Sequence, residues 1–250
     1  MKKSIILGIV LALVATSLAC TITLPDINID IDVEKVEGSG NVIEENRDVR
    51  DFSRVRLAGF GRLHIERGDT ESLRIEAEDN LLQYITTEVE DGELDIRWQK
   101  NILATNRQPI NFYLTVKTLD TITLDGAGDI EASNMRAETF TVNANGAGNF
   151  NLSDLNVDTL FVTLSGAGNV TLTGEATTQT VKINGLGNYQ ARDLWSTTAK
   201  VEINAAGSAT VRVSEKLDAT INGAGSIYYY GNPTVSQRVA GVGKISRIED

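Results

Sequence analysis

One motif constrains this chain more than any other feature, because it recurs at a near-constant spacing. It reads as an apolar residue, a polar residue, Gly or Ala, any residue, Gly, and a second polar residue. Seven copies follow one another: Leu124–Ile130, Ala144–Phe150, Leu164–Val170, Ile183–Tyr189, Ile203–Ala209, Ile221–Ile227 and Val239–Ile245. Their last glycines fall at 128, 148, 168, 187, 207, 225 and 243, with spacings of 20, 20, 19, 20, 18 and 18. A sustained period of this kind means stacked structural repeats.

The residues between the glycines decide which repeat this is. Thr139–Asn143, Phe161–Leu164, Val170–Thr173 and Val181–Asn184 alternate apolar and polar positions and favour β-branched side chains. That is strand chemistry. Helical repeats are longer, propeller blades need about 40 residues, and the leucine-rich frame is absent. The period predicts an all-β fold, a parallel β-helix (solenoid) with 18–20-residue coils and seven or more turns.

Within it, Gly126, Gly128, Gly146, Gly148, Gly166, Gly168, Gly185, Gly187, Gly207, Gly223, Gly225, Gly241 and Gly243 are expected as structural corners. Either a positive φ or a close backbone approach requires glycine there. Ala127, Ala147, Ala167 and Ala224, between the glycines, are small enough to be expected in a narrow interior. Polar residues before each corner (Asp125, Asn145, Ser165, Asn184, Asn204, Asn222) and after it (Asp129, Asn149, Asn169, Asn188, Ser208, Ser226) should align as ladders. Calcium-binding nonapeptide repeats have half this period and an acid in each repeat.

Residues 41–118 show the same chemistry with a weaker period. Val55–Leu63 reads as a degenerate first repeat, and Asp91-Gly92 as a hairpin turn between two short strands. Residues 79–85 read as one helical turn and residues 99–110 as a loop. Phe112–Val116 is expected to begin the regular part. No linker interrupts 41–250, so one domain is expected there.

The first 40 residues carry an address. Lys2 and Lys3 precede the apolar run Ile5–Val14, followed by small residues, as in a secretory signal over 1–19. The chain's single cysteine stands directly after it, in Ser17-Leu18-Ala19-Cys20. This resembles a bacterial lipoprotein signal, which implies that Cys20 is lipidated and anchors the chain to a membrane. Ser17 departs from the usual Leu, and a secreted protein cut near Ala19 or an uncleaved anchor are the plainer alternatives. Residues 20–40 then read as an acidic tether, in which alternating Ile27, Ile29, Ile31 and Val33 could add a strand.

Composition narrows the function. The net charge is −11, from 23 basic and 34 acidic residues, which gives no electrostatic reason to bind nucleic acid. One Cys and one His exclude a disulfide framework, a usual zinc site and most nucleophilic triads. No cofactor motif is present and none is expected. His64, in an alternating run, reads as a solvated strand residue. The carboxylates weighed for catalysis are Asp125 and Asp129, with ladder polar residues as the simpler account. The aromatic group Tyr228, Tyr229, Tyr230 and Trp195, with Tyr189, is the candidate binding surface. Arg238, Lys244 and Arg247 read as protection of the last strand's edge.

A family resemblance follows from these residues. Arg47-Asp48-Val49-Arg50-Asp51-Phe52-Ser53-Arg54-Val55 resembles the opening R-x-V-x-x-F-x-x-V of the bacterial auto-transporter adhesin head (GIN) domains. Asp91–Leu94, the serial Gly-Ala-Gly repeats and the closing Val239–Ile245 continue the likeness, over roughly 44–248. The resemblance implies a right-handed parallel β-helix on an exported bacterial protein and no catalytic motif. The reading is thus a non-catalytic, extracytoplasmic, lipid-anchored binding or structural module of the cell envelope. Its expected partners are the membrane, through the anchor, and a glycan or envelope protein, with a homo-oligomer as a further option. A carbohydrate-active enzyme and a self-assembling envelope accessory protein are the alternatives.

Overall fold

The computed structural model describes residues 34–249, so the signal segment, Cys20 and most of the expected tether lie outside the described residues. Strands account for about three quarters of the described residues. In chain order the first are β1 (Glu34–Glu37), β2 (Val42–Arg47), β3 (Arg54–Ala58), β4 (Phe60–Arg67) and β5 (Ser72–Glu78). A 3-10 turn at Leu82–Tyr84 leads to β6 (Ile85–Glu90), β7 (Glu93–Trp98), β8 (Ile102–Thr105) and β9 (Asn111–Val116). The repeats supply β10 (Thr121–Leu124), β11 (Ala127–Ser133), β12 (Arg136–Ala144), β13 (Ala147–Leu164), β14 (Ala167–Ile183), β15 (Leu186–Ile203) and β16 (Ala206–Ile221). The last are β17 (Ala224–Tyr230), β18 (Thr234–Val239) and β19 (Val242–Arg247).

From β10 to β19 every pairing is parallel and joins one coil to the next, which makes a parallel β-solenoid. One coil shows how the sequence builds it. In β13 the buried residues are Phe150 and Leu152, then Leu155 and Val157, then Leu160, Val162 and Leu164. Each set keeps the strand period of two. The period slips at Ser153-Asp154 and at Asp158-Thr159, so each coil has three sides with their own inward residues. Asp154 turns the first of these corners with φ 54°. The glycine motif turns the third.

Coil length varies where the chain turns and the ladders on either side hold their register. Leu155 pairs with Gly174 after a register shift, which accounts for the shorter step between those coils. Ala191 pairs with Val211 and Trp195 with Arg212, so residues 192–194 have no counterpart in the next coil. A smaller shift in the opposite sense follows between Ser196 and Thr198.

Glycine occupies the third corner because coils touch there. A Cβ built on Gly126 would lie 1.7 Å from the Gly59 carbonyl oxygen, and one on Gly166 would lie 1.8 Å from that of Gly146. The same collision, with the coil beneath, recurs up the stack to Gly243. Close approach, rather than positive φ, is therefore the general requirement. The residues between the glycines were expected inside, and the structure corrects this: Ala127, Ala147, Ala167 and Ala224 are exposed. The glycines face the coil below, so alternation turns the intervening side chain outward.

The degenerate repeat is a true coil. β3 pairs with β10 and β4 with β11, with Gly61 opposite Gly128, although the two glycines are far apart in sequence. The chain between them returns to the N-terminal end. There β7 pairs with β3 and β9 with β4, both parallel. Phe112–Val116 therefore lies beneath the first coil and does not begin the regular part. Antiparallel β6, β5 and β2 close this end, β6 through the expected Asp91-Gly92 hairpin. The expected loop over 99–110 contains β8, which pairs with β1. Trp98 fills the space under the lowest corner: it stacks on Phe60 at 4.3 Å, and its ring would meet a Cβ on Gly59 at 2.4 Å.

A buried carboxylate fastens the closed end. Glu78 has no exposed surface and accepts from the backbone amides of Gly40 at 2.6 Å, Arg107 at 2.8 Å and Gln108 at 3.4 Å. Two chain segments, at residue 40 and at residues 107–108, thus share one acceptor group on a third. The opening signature also acts here, since Val49, Phe52 and Val55 are all buried. The far end is simpler. β18 and β19 pair with the coil beneath, carry no further coil among the described residues, and leave most of their residues exposed. Gln237 and Arg247 replace the inward Ala219 and Tyr229 of the coil beneath, and Arg238 and Lys244 are exposed. Polar substitution of a terminal coil limits unwanted strand pairing.

Candidate functional site

The corner residues are accounted for by stacking. Before the corner, Asn145 Nδ2 donates to Asp125 Oδ1 at 2.8 Å, Asn204 to Asn184 at 2.9 Å and Asn222 to Asn204 at 2.8 Å. After it, Asn149 donates to Asp129 at 3.0 Å, Asn169 to Asn149 at 3.0 Å, Asn188 to Asn169 at 2.9 Å and Ser208 to Asn188 at 2.6 Å. The upper residue donates and the lower accepts at each of these rungs. Asparagine suits the interior of such a chain because it does both. The lowest rung needs only acceptors, and there the sequence places Asp125 and Asp129. Arg56 is hydrogen-bonded to Asp125 from the first coil, and Arg62 stands 3.7 Å from Asp129. The two carboxylates are ladder ends, each matched to its own arginine. The Asp125 bond also holds the Arg56 guanidinium above its ordinary pKa.

The aromatic group divides. Tyr189 is fully buried, and its hydroxyl donates to Gln179 Oε1 at 2.8 Å. Gln179 donates to Ser196 Oγ at 2.7 Å, and Ser196 donates to the Arg212 carbonyl at 2.7 Å. Burial pushes the Tyr189 phenol far above its ordinary range. This is a satisfied interior network. Tyr228 and Tyr229 are half-buried, Tyr229 against the core. Tyr230 is buried at 7% exposure, so the tyrosine run offers less open ring surface than its sequence suggests.

Trp195 is different, with 60% of its surface exposed. It stands on the side of the coil in register with Glu175 below and Arg212 above, and Arg212 is in register with Tyr230. The Arg212 guanidinium lies 4.6 Å from the Trp195 ring centre and 5.1 Å from that of Tyr230. Arg192 approaches the Tyr230 ring at 5.0 Å, and its carbonyl accepts from Arg212 Nε at 2.9 Å. The unmatched residues 192–194 bring Arg192 and Asp193 to the surface shortly before Trp195 in the chain, while Leu194 turns inward. Cation–π contact holds the indole from one side.

Two of these residues, Arg192 and Arg212, were not singled out in the sequence. Their separation by one coil was the available signal. His64 also has a setting that the sequence did not show. Its Nδ1 lies 3.0 Å from Glu131 Oε2, and its ring stacks on Tyr113 at 5.0 Å. Arg74 covers Tyr113 at 4.1 Å. Strand pairing alone brings these together across β11, β4, β9 and β5, at the edge of a shallow groove of about 310 Å³. Among the described residues no group of three or more His, Cys, Asp or Glu is arranged to hold a metal ion.

Known proteins share this fold. A crystal structure of a "putative adhesin" from Bacteroides fragilis NCTC 9343 superposes with a TM-score of 0.83 at 27% identity, covering 85% of this chain and 100% of that one. A "putative lipid binding protein" from Parabacteroides distasonis ATCC 8503 gives 0.73 at 22% identity, covering 86% and 100%. A "putative adhesin" from Parabacteroides merdae ATCC 43184 gives 0.67 at 21%, again covering 86% and 100%; at these identities the last two show the fold alone. No curated protein matches the chain. The family model described as "Putative auto-transporter adhesin, head GIN domain" matches residues 51–233, and with most of its length so covered the chain belongs to that family.

Proposed function

We propose that this protein is a non-catalytic, adhesin-like binding module of the bacterial cell envelope, held to a membrane through a lipid on Cys20. The observation that carries the binding role is Trp195: a large ring left 60% exposed on a rigid solenoid side, with arginine and acid groups around it. Large exposed aromatic surface is what recognition sites use. Asp125 and Asp129 support the non-catalytic reading, because arginines and ladder amides occupy both. Family membership supports an extracytoplasmic address. The single cysteine in an exported chain supports the anchor, since it has no disulfide partner.

The test uses the full-length chain, extracted from cells in mild detergent, on a glycan array with the same polysaccharides assayed for reducing ends. Saturable binding without release supports the reading. Release of reducing ends refutes the non-catalytic part, and a blank array refutes glycan binding in favour of an envelope protein partner. The anchor is tested separately by metabolic labelling with a radioactive fatty acid. Label lost in Cys20→Ser supports it, and label absent from the unmodified chain refutes it.

A further inference from the structure

We infer that Trp195 is the platform of a carbohydrate subsite that takes one neutral pyranose ring, with Arg192, Asp193 and Glu175 binding its hydroxyls. The inference rests on the binding reading above and adds the place and the ligand class. The first ground is geometric. Arg212 covers the indole at 4.6 Å, yet 60% of the residue remains exposed, so a broad apolar surface is open to solvent. The C–H face of a pyranose is a flat apolar surface of matching size. Arg212 in turn is steadied between two rings, and its Nε is spent on the Arg192 carbonyl.

The second ground is the rim. Glu175 lies in register with Trp195 one coil below, and Asp193 precedes it by two residues, on the same side. Both acids are exposed, as is Arg192. Carboxylates accept from pairs of hydroxyls and a guanidinium donates to them, which is the complementary set for a polyol. The third ground is charge. Glu175 and Asp193 balance Arg192 and Arg212 locally, and the whole chain carries −11. A uronic-acid polymer would meet that field unfavourably, so the ring is neutral. The fourth ground is the local chain path. Residues 192–194 are an excess over the coil above, and this excess leaves Arg192 and Asp193 exposed within three residues of Trp195 in the chain. An insertion that served only packing would not need to present two charged groups next to an exposed indole.

The experiment titrates the full-length chain in detergent with three probes: cellohexaose, mannohexaose and a galacturonate hexamer. Binding is read by calorimetry and by indole fluorescence. The unmodified chain should bind at least one neutral oligomer and bind the galacturonate more weakly. Trp195→Ala should weaken the neutral binding by about tenfold or more. Asp193→Asn and Arg192→Gln should each weaken it several-fold. Thermal melting checks that the variants fold, and since the three side chains make only surface contacts, melting should fall by no more than a few degrees. Equal affinity in Trp195→Ala, with melting intact, overturns the subsite and leaves the wider binding reading standing. Preference for galacturonate overturns the neutral ligand class. Failure of the unmodified chain to bind any saccharide, here and on the array, overturns the subsite and glycan binding together and leaves an envelope protein as the partner.

Discussion

Gly168→Ala isolates the force that sets the corner composition. A Cβ at this position would lie 1.7 Å from the Gly148 carbonyl oxygen, 2.8 Å from its carbon and 3.1 Å from its nitrogen. The obstacle is backbone, so no rotamer change removes it. Relief to an ordinary carbon–oxygen contact requires the two coils to part locally by roughly 1.5 Å. Three bonds span the same gap: Gly166 N–H to the Ala144 carbonyl at 3.0 Å, Ala167 N–H to the Gly146 carbonyl at 3.1 Å, and the Asn169–Asn149 rung at 3.0 Å. Stretching them by that amount breaks them. At about 1 kcal/mol each, less what water recovers at the exposed rung, the cost is about 2–3 kcal/mol. For a domain of this size that lowers the melting temperature by roughly 5–10 °C. Because the lesion lies between two mid-stack coils, amide exchange should rise on both sides of the corner while the closed N-terminal end keeps its protection. The chain contains its own comparison. The first glycine place of the motif is Ala205 in one coil, whereas the second is glycine in every coil from Gly61 to Gly243. Gly166→Ala should therefore cost less than Gly168→Ala, and Ala167→Ser, which points outward, should cost nothing measurable. Melting of Gly168→Ala within a degree of the parent would refute the close-approach argument.

Three further outcomes are expected. Glu78→Leu should destabilise by about 3 kcal/mol or more, because it strands three backbone amides at the closed end; chemical denaturation reads this, and Glu78→Gln, which keeps one acceptor oxygen, should recover part of it. Tyr189→Phe should cost about 1–2 kcal/mol by leaving Gln179 Oε1 without its donor in a dry interior, with no gain in packing to offset it, and thermal melts will show whether it does. Hydrogen bonds from Asn41 and then Ser39 hold Asp79 below its ordinary pKa, so its contribution is present above about pH 4 and is lost as the pH falls through the folded value; exchange at the 38–41 turn should quicken there before the solenoid melts.

The repeats were readable because their contacts are all one coil apart, so the spacing in sequence is the contact map in space. The Asn and Ser ladders follow from it directly, and so does the need for small residues at the corner. Which of the small residues faces the neighbouring coil was not readable, because Gly and Ala alternate there and only the backbone direction separates them. The N-terminal end was less legible for a different reason. His64 meets Glu131 and Arg56 meets Asp125 across the whole excursion that closes that end, and Glu78 gathers amides from segments well before and well after it in the chain. No local pattern encodes such meetings. The candidate site lies between these cases. The tyrosine run drew attention by composition, but the rings are mostly packed, while the exposed indole stands beside a change in coil length. The shortening of the spacing from 20 to 18 in the next coil records that change in the sequence itself. In a solenoid, regular spacing builds the scaffold and leaves every coil alike. A departure from it is where one coil can present groups that its neighbours do not, and at Arg192–Leu194 it exposes Arg192 and Asp193 just before Trp195.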